Sequence, residues 1–302
     1  MLLTEAAIRA ECAQIIDPNT GLDLITANAV RAVGVDGQNA AIELQMGYPA
    51  KSEHPALIAR ISERLKSRLG AQAVSIHITT KIPAHKVQKE LSPLPGVKNI
   101  IAIASGKGGV GKSTTAVNLA LALAAEGAIV GILDADIYGP SQPRLLGLSG
   151  KPQVTGSNKL RPMEGYGLKT MSMGFMVDEA TPVIWRGPMV MKALQQFFYD
   201  VEWGDLDFLV IDLPPGTGDA QLTLIQAVDL AGAVIVTTPQ PVALADAVRG
   251  ITMFRKLEVP LLGVIENMAY YELPDGTRDH VFGRDGGANT AKKYDTELLG
   301  QI

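Results

Sequence analysis

Residues 106–113 read Gly106-Lys107-Gly108-Gly109-Val110-Gly111-Lys112-Ser113, and this stretch decides the fold. It matches the pattern G-x-x-x-x-G-K-S/T in the setting that pattern needs, with an aliphatic run before it and helical spacing after it. Glycines let successive N–H groups wrap a phosphate without Cβ clashes. A helix starting near Lys112 adds the positive end of its dipole. Lys112 would reach the β- and γ-phosphates of a nucleotide, and the Ser113 hydroxyl would bind Mg2+. Thr114 completes the stretch expected to contact the phosphates.

Working outward, the pattern is strand, turn, helix, repeated. Strands are predicted at Asn99–Ala104, Ile129–Leu133, Asp207–Ile211, Ala233–Thr237 and Leu261–Ile265. Each is short, aliphatic and nearly continuous in apolar residues, as in a parallel sheet covered on both faces. Helices are predicted at Lys112–Glu126, Leu222–Ala227 and Val242–Leu257. Together they argue a doubly wound, mostly parallel α/β domain over 98–302. Residues 140–200 break the rhythm with Met163, Met171, Met173, Met176, Met189, Met191 and Trp185, a stripe that fits core or an oligomer surface.

Upstream, residues 1–80 read as a small α+β domain. Leu2–Ile16 is a predicted helix stopped by Asp17-Pro18 and Gly21. Val30–Val35 and Ala40–Gln45 alternate as strands around Asp36-Gly37, a hairpin signal. Leu57, Ile58, Ile61, Leu65 and Leu69 follow helical spacing, with Gly70 as the stop. Arg60, Arg64, Lys66 and Arg68 lie on the other face, which is expected to be solvated, the alternative being contact with an acidic partner. A further strand is predicted at Val74–Ile78. Lys81, Pro83, Lys86, Lys89, Pro93, Pro95 and Gly96 mark 81–97 as a linker.

Composition bounds the function. The chain has 302 residues, 47% of them hydrophobic and 19% charged, and a net charge of −4. That balance is not the footprint of a nucleic-acid binder. The apolar stretch around Ala116–Ala125 falls short of the roughly 18 residues a membrane span needs. The first residues do not read as a signal peptide, so a cytoplasmic protein without membrane contact is expected. Cys12 is the single cysteine, in an apolar helical pattern that suggests a buried thiol.

Carboxylates follow the predicted strands. Asp134 and Asp136 lie in LDADIYGPS, where an open α/β sheet meets its ligand. Asp212 ends Leu206–Asp212 and precedes LPPGTGD, in which Gly216 and Gly218 allow a γ-phosphate-responsive segment. Asp212 would hold Mg2+, through water. Asn267, in GVIENM, has an amide that can donate to and accept from an adenine edge.

SGKGGVGKST resembles the deviant P-loop of the family that includes ParA, MinD, ArsA and the nitrogenase iron protein. The resemblance implies that Lys107 acts across a nucleotide-sandwich homodimer, that Asp136 orients the attacking water, and that Asn267 contacts the base. More narrowly, YGPSQP, WRGPM, DLPPGTGDAQLTL, TTPQPVAL and ENM resemble the Mrp/ApbC-type iron-sulfur cluster carriers. The N-terminal unit, with DPNTGLDLI, is similar to the MIP-type iron-sulfur-assembly domain often fused ahead of that ATPase. These likenesses imply an ATP- and Mg2+-dependent hydrolase that passes iron-sulfur clusters to apo-proteins alongside cluster-assembly factors.

Two departures qualify that expectation. The family's C-x-x-C after ENM is here Ala269-Tyr270-Tyr271-Glu272-Leu273-Pro274-Asp275-Gly276, and the small domain's cysteine loop reads Gly47-Tyr48-Pro49-Ala50-Lys51. No iron-sulfur ligands are identifiable. The family continues past LLGQ with a proline-led loop and a helix, so part of the base pocket is expected outside this chain. The alternatives are a ParA/MinD-like positioning ATPase, or an ATP-dependent scaffold that carries no cluster itself.

Overall fold

The computed structural model describes residues 3–86, 93–156, 158–176 and 187–302. The chain divides at Pro83/Ala84 into two compact units, with Ala125–Ala128 grouped with the first.

The first unit is small. Helix α1 (Glu5–Cys12) is capped by Thr4, whose side chain accepts from the Ala7 N–H. The helix predicted as Leu2–Ile16 ends at Cys12, because the next N–H groups close tighter turns, Gln14 to Glu11 and Ile15 to Cys12. Strand β1 (Val30–Asp36) pairs antiparallel with β2 (Asn39–Met46), and Asp36 faces Asn39 across the turn. Helix α2 (His54–Leu69) buries Ile61, Leu65 and Leu69 and stops at Gly70, at φ +68°. Strand β3 (Ala73–Thr80) then pairs parallel with β2. The helix α2 crossover supplies the length a parallel return needs. The basic face of α2 is not simply solvated. Arg64 ion-pairs with Glu11 at 2.6 Å, and Arg60 donates to the Ile16 carbonyl at 2.6 Å.

The second unit is an eight-stranded sheet. Its elements, in chain order, are β4 (Val97–Ala104), α3 (Lys112–Ala125), β5 (Val130–Asp134), α4 (Gln142–Leu145), β6 (Met163–Gly165), β7 (Leu168–Ser172) and α5 (Gly187–Tyr199). They continue with β8 (Leu206–Asp212), α6 (Asp219–Ala227), β9 (Gly232–Thr237), α7 (Pro241–Lys256) and β10 (Leu261–Glu266). A short ribbon of β11 (Tyr271–Glu272) and β12 (Arg278–Asp279) precedes α8 (Gly286–Lys293) and β13 (Leu298–Gln301). The strand order is β13-β10-β9-β4-β8-β5-β7-β6. All pairs are parallel except β6 with β7. The chain runs outward from β4 in both directions, so β4 marks a topological switch point.

The methionine stripe divides. Met171 and Met173 are buried core and Met176 is exposed. Trp185 and the side chains of Met189 and Met191 lie outside the described residues. Residues 84–86 are held against the second unit: His85 faces the Lys98 carbonyl with Nδ1 at 2.9 Å and the Asp229 carboxylate with Nε2 at 2.8 Å.

Candidate nucleotide site

The site lies at the carboxyl ends of the parallel strands. β4 delivers the glycine loop, and β5 and β8 end side by side, with Asp134 registered against Asp212. Asn267 follows β10.

The loop is shaped by its glycines. Gly111 sits at φ +85°, and a Cβ there would meet Asn267 Nδ2 at 2.1 Å. Only glycine satisfies both conditions. A Cβ on Gly108 or Gly109 would meet open space, which leaves the loop's concave side free for a ligand. Asn267 Nδ2 donates to the Val110 carbonyl at 2.9 Å. The amide expected to read a base is therefore also a brace for the loop. Lys107 is exposed, and its carbonyl accepts from the Ser105 hydroxyl at 2.9 Å. Thr114 is exposed, and its carbonyl accepts from Asn118.

Lys112 points inward. Its ammonium donates to Asp212 Oδ1 and lies 3.3 Å from the Ser113 hydroxyl. Asp212 is fully buried, and its Oδ2 accepts from Gln142 Nε2 at 2.9 Å. The same Nε2 donates to the Ser113 carbonyl at 3.0 Å. A carboxylate and a hydroxyl, with the buried amide oxygen Gln142 Oε1 beside them and without a hydrogen-bond partner among the described residues, form an oxygen set of the kind Mg2+ and its waters take. These residues fit that ion.

Asp134 organises the segment between β5 and α4. Its Oδ2 accepts from the N–H groups of Ser141 and Gln142 at 2.9 and 3.0 Å and from the Ser172 hydroxyl at 3.1 Å. Burial, reinforced by the charge of Asp212, pushes its carboxyl up to about 7. Asp136 is half-buried and accepts from Gly139 N–H at 3.2 Å. Burial raises its carboxyl too, against the opposing pull of Lys112.

Gln142 stands in the YGPSQP segment, but nothing in the sequence gave it a role in the site. Its membership is visible only once the fold brings its amide to the Ser113 carbonyl and to Asp212 at the end of β8.

In the first unit, a cavity of about 220 Å3 is lined by Asp17, Tyr48, Glu53, His54, Leu57 and Arg60 among others. Asp17 there accepts from the Tyr48 hydroxyl at 2.7 Å. Cys12 is fully buried, and burial pushes its thiol up to about 11. Among the described residues no cluster of three or more His, Cys, Asp or Glu side chains could hold a metal ion. Nor is any helix among them long and apolar enough to cross a membrane.

A glycine cradle at the switch point of a parallel sheet, with a lysine, a serine and a strand-end aspartate converging on it, defines a P-loop NTPase. Residues 96–302 match the family described as NUBPL iron-transfer P-loop NTPase, and residues 5–78 match the iron-sulfur cluster assembly protein family. The chain belongs to the iron-transfer P-loop NTPase family. It is 46% identical to an iron-sulfur cluster carrier protein of Synechocystis sp., across 100% of this chain and 87% of that one. It is 46% identical to the Escherichia coli K12 protein of the same description, across 98% and 81%. The iron-sulfur cluster transfer protein NUBPL of Mus musculus is 45% identical, across 89% and 82%. Among solved structures, an ADP-bound nucleotide-binding protein from Archaeoglobus fulgidus is 43% identical with a TM-score of 0.61, covering 69% of this chain and 83% of that one.

Proposed function

We propose that this chain is a Mg2+-dependent ATPase that works as a nucleotide-sandwich homodimer in the cytoplasm. Its cargo is an iron-sulfur cluster, delivered to apo-proteins in company with cluster-assembly factors, as the carrier relatives' names suggest. The observation that carries this reading is the convergence of Lys112, Ser113 and Asp212 beneath an open glycine loop.

The loop N–H groups of 106–113 bind the phosphates, and Lys112 leaves Asp212 to neutralise the β- and γ-oxygens. Ser113, and Asp212 through water, would hold the metal, which would supply positive charge opposite the developing phosphate charge. Asp136 orients the attacking water. Asn267 keeps Val110 in place and contacts the base with its remaining amide groups. Lys107 reaches the partner's nucleotide. In domain terms, 1–80 serves cluster assembly, 81–97 links, and 98–302 is the ATPase.

A second reading is favoured by one observation. The single thiol, Cys12, is fully buried. A scaffold that leaves the thiolates to its partners fits that fact. Trans action is tested by mixing Lys107→Ala with Asp136→Ala protein and following ATP turnover across mixing ratios. Each variant alone is expected to be inactive, and mixed dimers to regain part of the activity, since one composite site has both groups intact. Null turnover in mixed dimers shown to form overturns it.

A further inference from the structure

Gln142 is completely buried at the start of α4. Its side-chain Nε2 donates twice, to the Ser113 carbonyl at 3.0 Å and to Asp212 Oδ2 at 2.9 Å. Both partners are acceptors, so the amide cannot be turned end for end without setting oxygen against oxygen. Its Oε1 is therefore fixed, and it is buried with no hydrogen-bond partner among the described residues. A buried acceptor left unsatisfied is costly. In a native site it points to an unseen water or ion.

The place of this orphan is telling. The amide's other end touches both the Ser113 backbone and Asp212. Asp212 has its two oxygens divided between Lys112 and Gln142. Mg2+ held directly by one hydroxyl, and by a carboxylate through water, keeps several waters. Metal-bound waters present hydrogens outward and need acceptors. Gln142 also hangs from Asp134 through its own backbone N–H, at 3.0 Å. It thus joins the segment after β5 to the phosphate loop.

We propose that Gln142 is a positioning residue for the metal-nucleotide complex. Its Oε1 accepts a hydrogen bond from a water of the metal shell. Its Nε2 ties that shell, through Asp212 and Ser113, to the segment that Asp134 holds. The inference rests on reading 106–113 as a Mg2+-nucleotide site. It adds a metal-sensing contact on the segment carrying Asp136, so that metal loading and the position of the water-orienting carboxylate become linked.

The test is binding of a fluorescent ADP analogue to the full chain, first in chelator and then across a Mg2+ titration. Wild-type protein is expected to bind in chelator and to tighten with Mg2+. Gln142→Leu is expected to keep its metal-free affinity while needing about 10-fold more Mg2+, or greater, for half of the tightening, as for other outer-shell partners of a metal. Gln142→Met, matched in length, is read in the same way and serves where the leucine variant does not fold. An unchanged Mg2+ requirement in a folded variant overturns the role of Gln142 and leaves the site standing. Equal weakening with and without Mg2+ also overturns it, since that is the behaviour of a simple strut. Wild-type protein that binds no ADP in any condition overturns the site itself.

Discussion

At the scale of single residues, the glycine loop was readable because its chemistry is local. Glycine spacing, the lysine and the serine sit in eight consecutive positions. What could not be read was the partner of Lys112. In the folded chain its ammonium is only 6% exposed and is held on Asp212, which is 0% exposed. Removing one member of a buried pair leaves the other uncompensated, at a cost of about 3–5 kcal/mol. Lys112→Ala is therefore expected to abolish turnover and also to lower the stability of the nucleotide-free protein. Adding Asp212→Asn should recover most of the lost stability and none of the turnover. Chemical denaturation of both variants, beside an ATPase assay, reads the two effects separately. A Lys112→Ala protein as stable as wild type would show that the ion pair contributes nothing net to folding.

At the scale of elements, legibility followed propensity. The aliphatic strands β4, β5, β8 and β9 were evident because each is largely buried on both faces, and β10 was evident from its aliphatic run although Leu262 is exposed. β7 was not, because Thr170 and Ser172 are buried polar residues that mask its apolar pattern. α8 begins Gly286-Gly287, poor helix formers, yet a Cβ on Gly287 would meet Glu266 Oε2 at 2.7 Å. Close packing against β10 therefore outweighs propensity there. The contacts of Gln142, which stands in YGPSQP, escaped notice for a related reason, since its partners lie 29 and 70 positions away in sequence. The segment between β5 and α4 depends on Asp134, whose carboxyl is raised from 3.8 to about 7 by burial and then by Asp212. The folded chain thus keeps a proton that the unfolded chain releases. That contribution is complete below 3.8 and is lost as pH rises through about 7. Thermal unfolding of wild type and Asp134→Asn from about pH 6 to about pH 8 checks the sign. Wild type should lose stability relative to the asparagine variant as pH rises. A constant difference would show that Asp134 does not titrate in this range.

At the scale of the whole molecule, the two-part organisation was visible as a change of pattern, from hairpin and amphipathic helix to repeated strand-turn-helix. The absence of cysteine pairs was equally visible, and it governs what the chain can carry. Cys12 is the only thiol. It is fully buried, and its raised pKa keeps it protonated, whereas cluster iron takes thiolate. Tyr270, Tyr271, Glu272, Asp275 and His280 follow the ENM segment in place of a cysteine pair. His280 Nδ1 already bonds the Ala269 carbonyl at 2.9 Å, and Tyr270 stacks beneath the Arg278 guanidinium at 4.0 Å. Their oxygen and imidazole donors are harder than sulfur and suit a sulfide-bridged cluster poorly. Anaerobic reconstitution of the chain alone is therefore expected to leave no cluster that survives desalting, in wild type and in Cys12→Ser alike. Supplying a thiolate-bearing apo-protein should then bring iron and sulfide into a shared complex, read by absorbance and metal analysis. Near four irons per dimer of the isolated chain, insensitive to Cys12→Ser, would mean that non-thiolate ligands hold the cluster. The 270–280 segment would then be the first place to substitute.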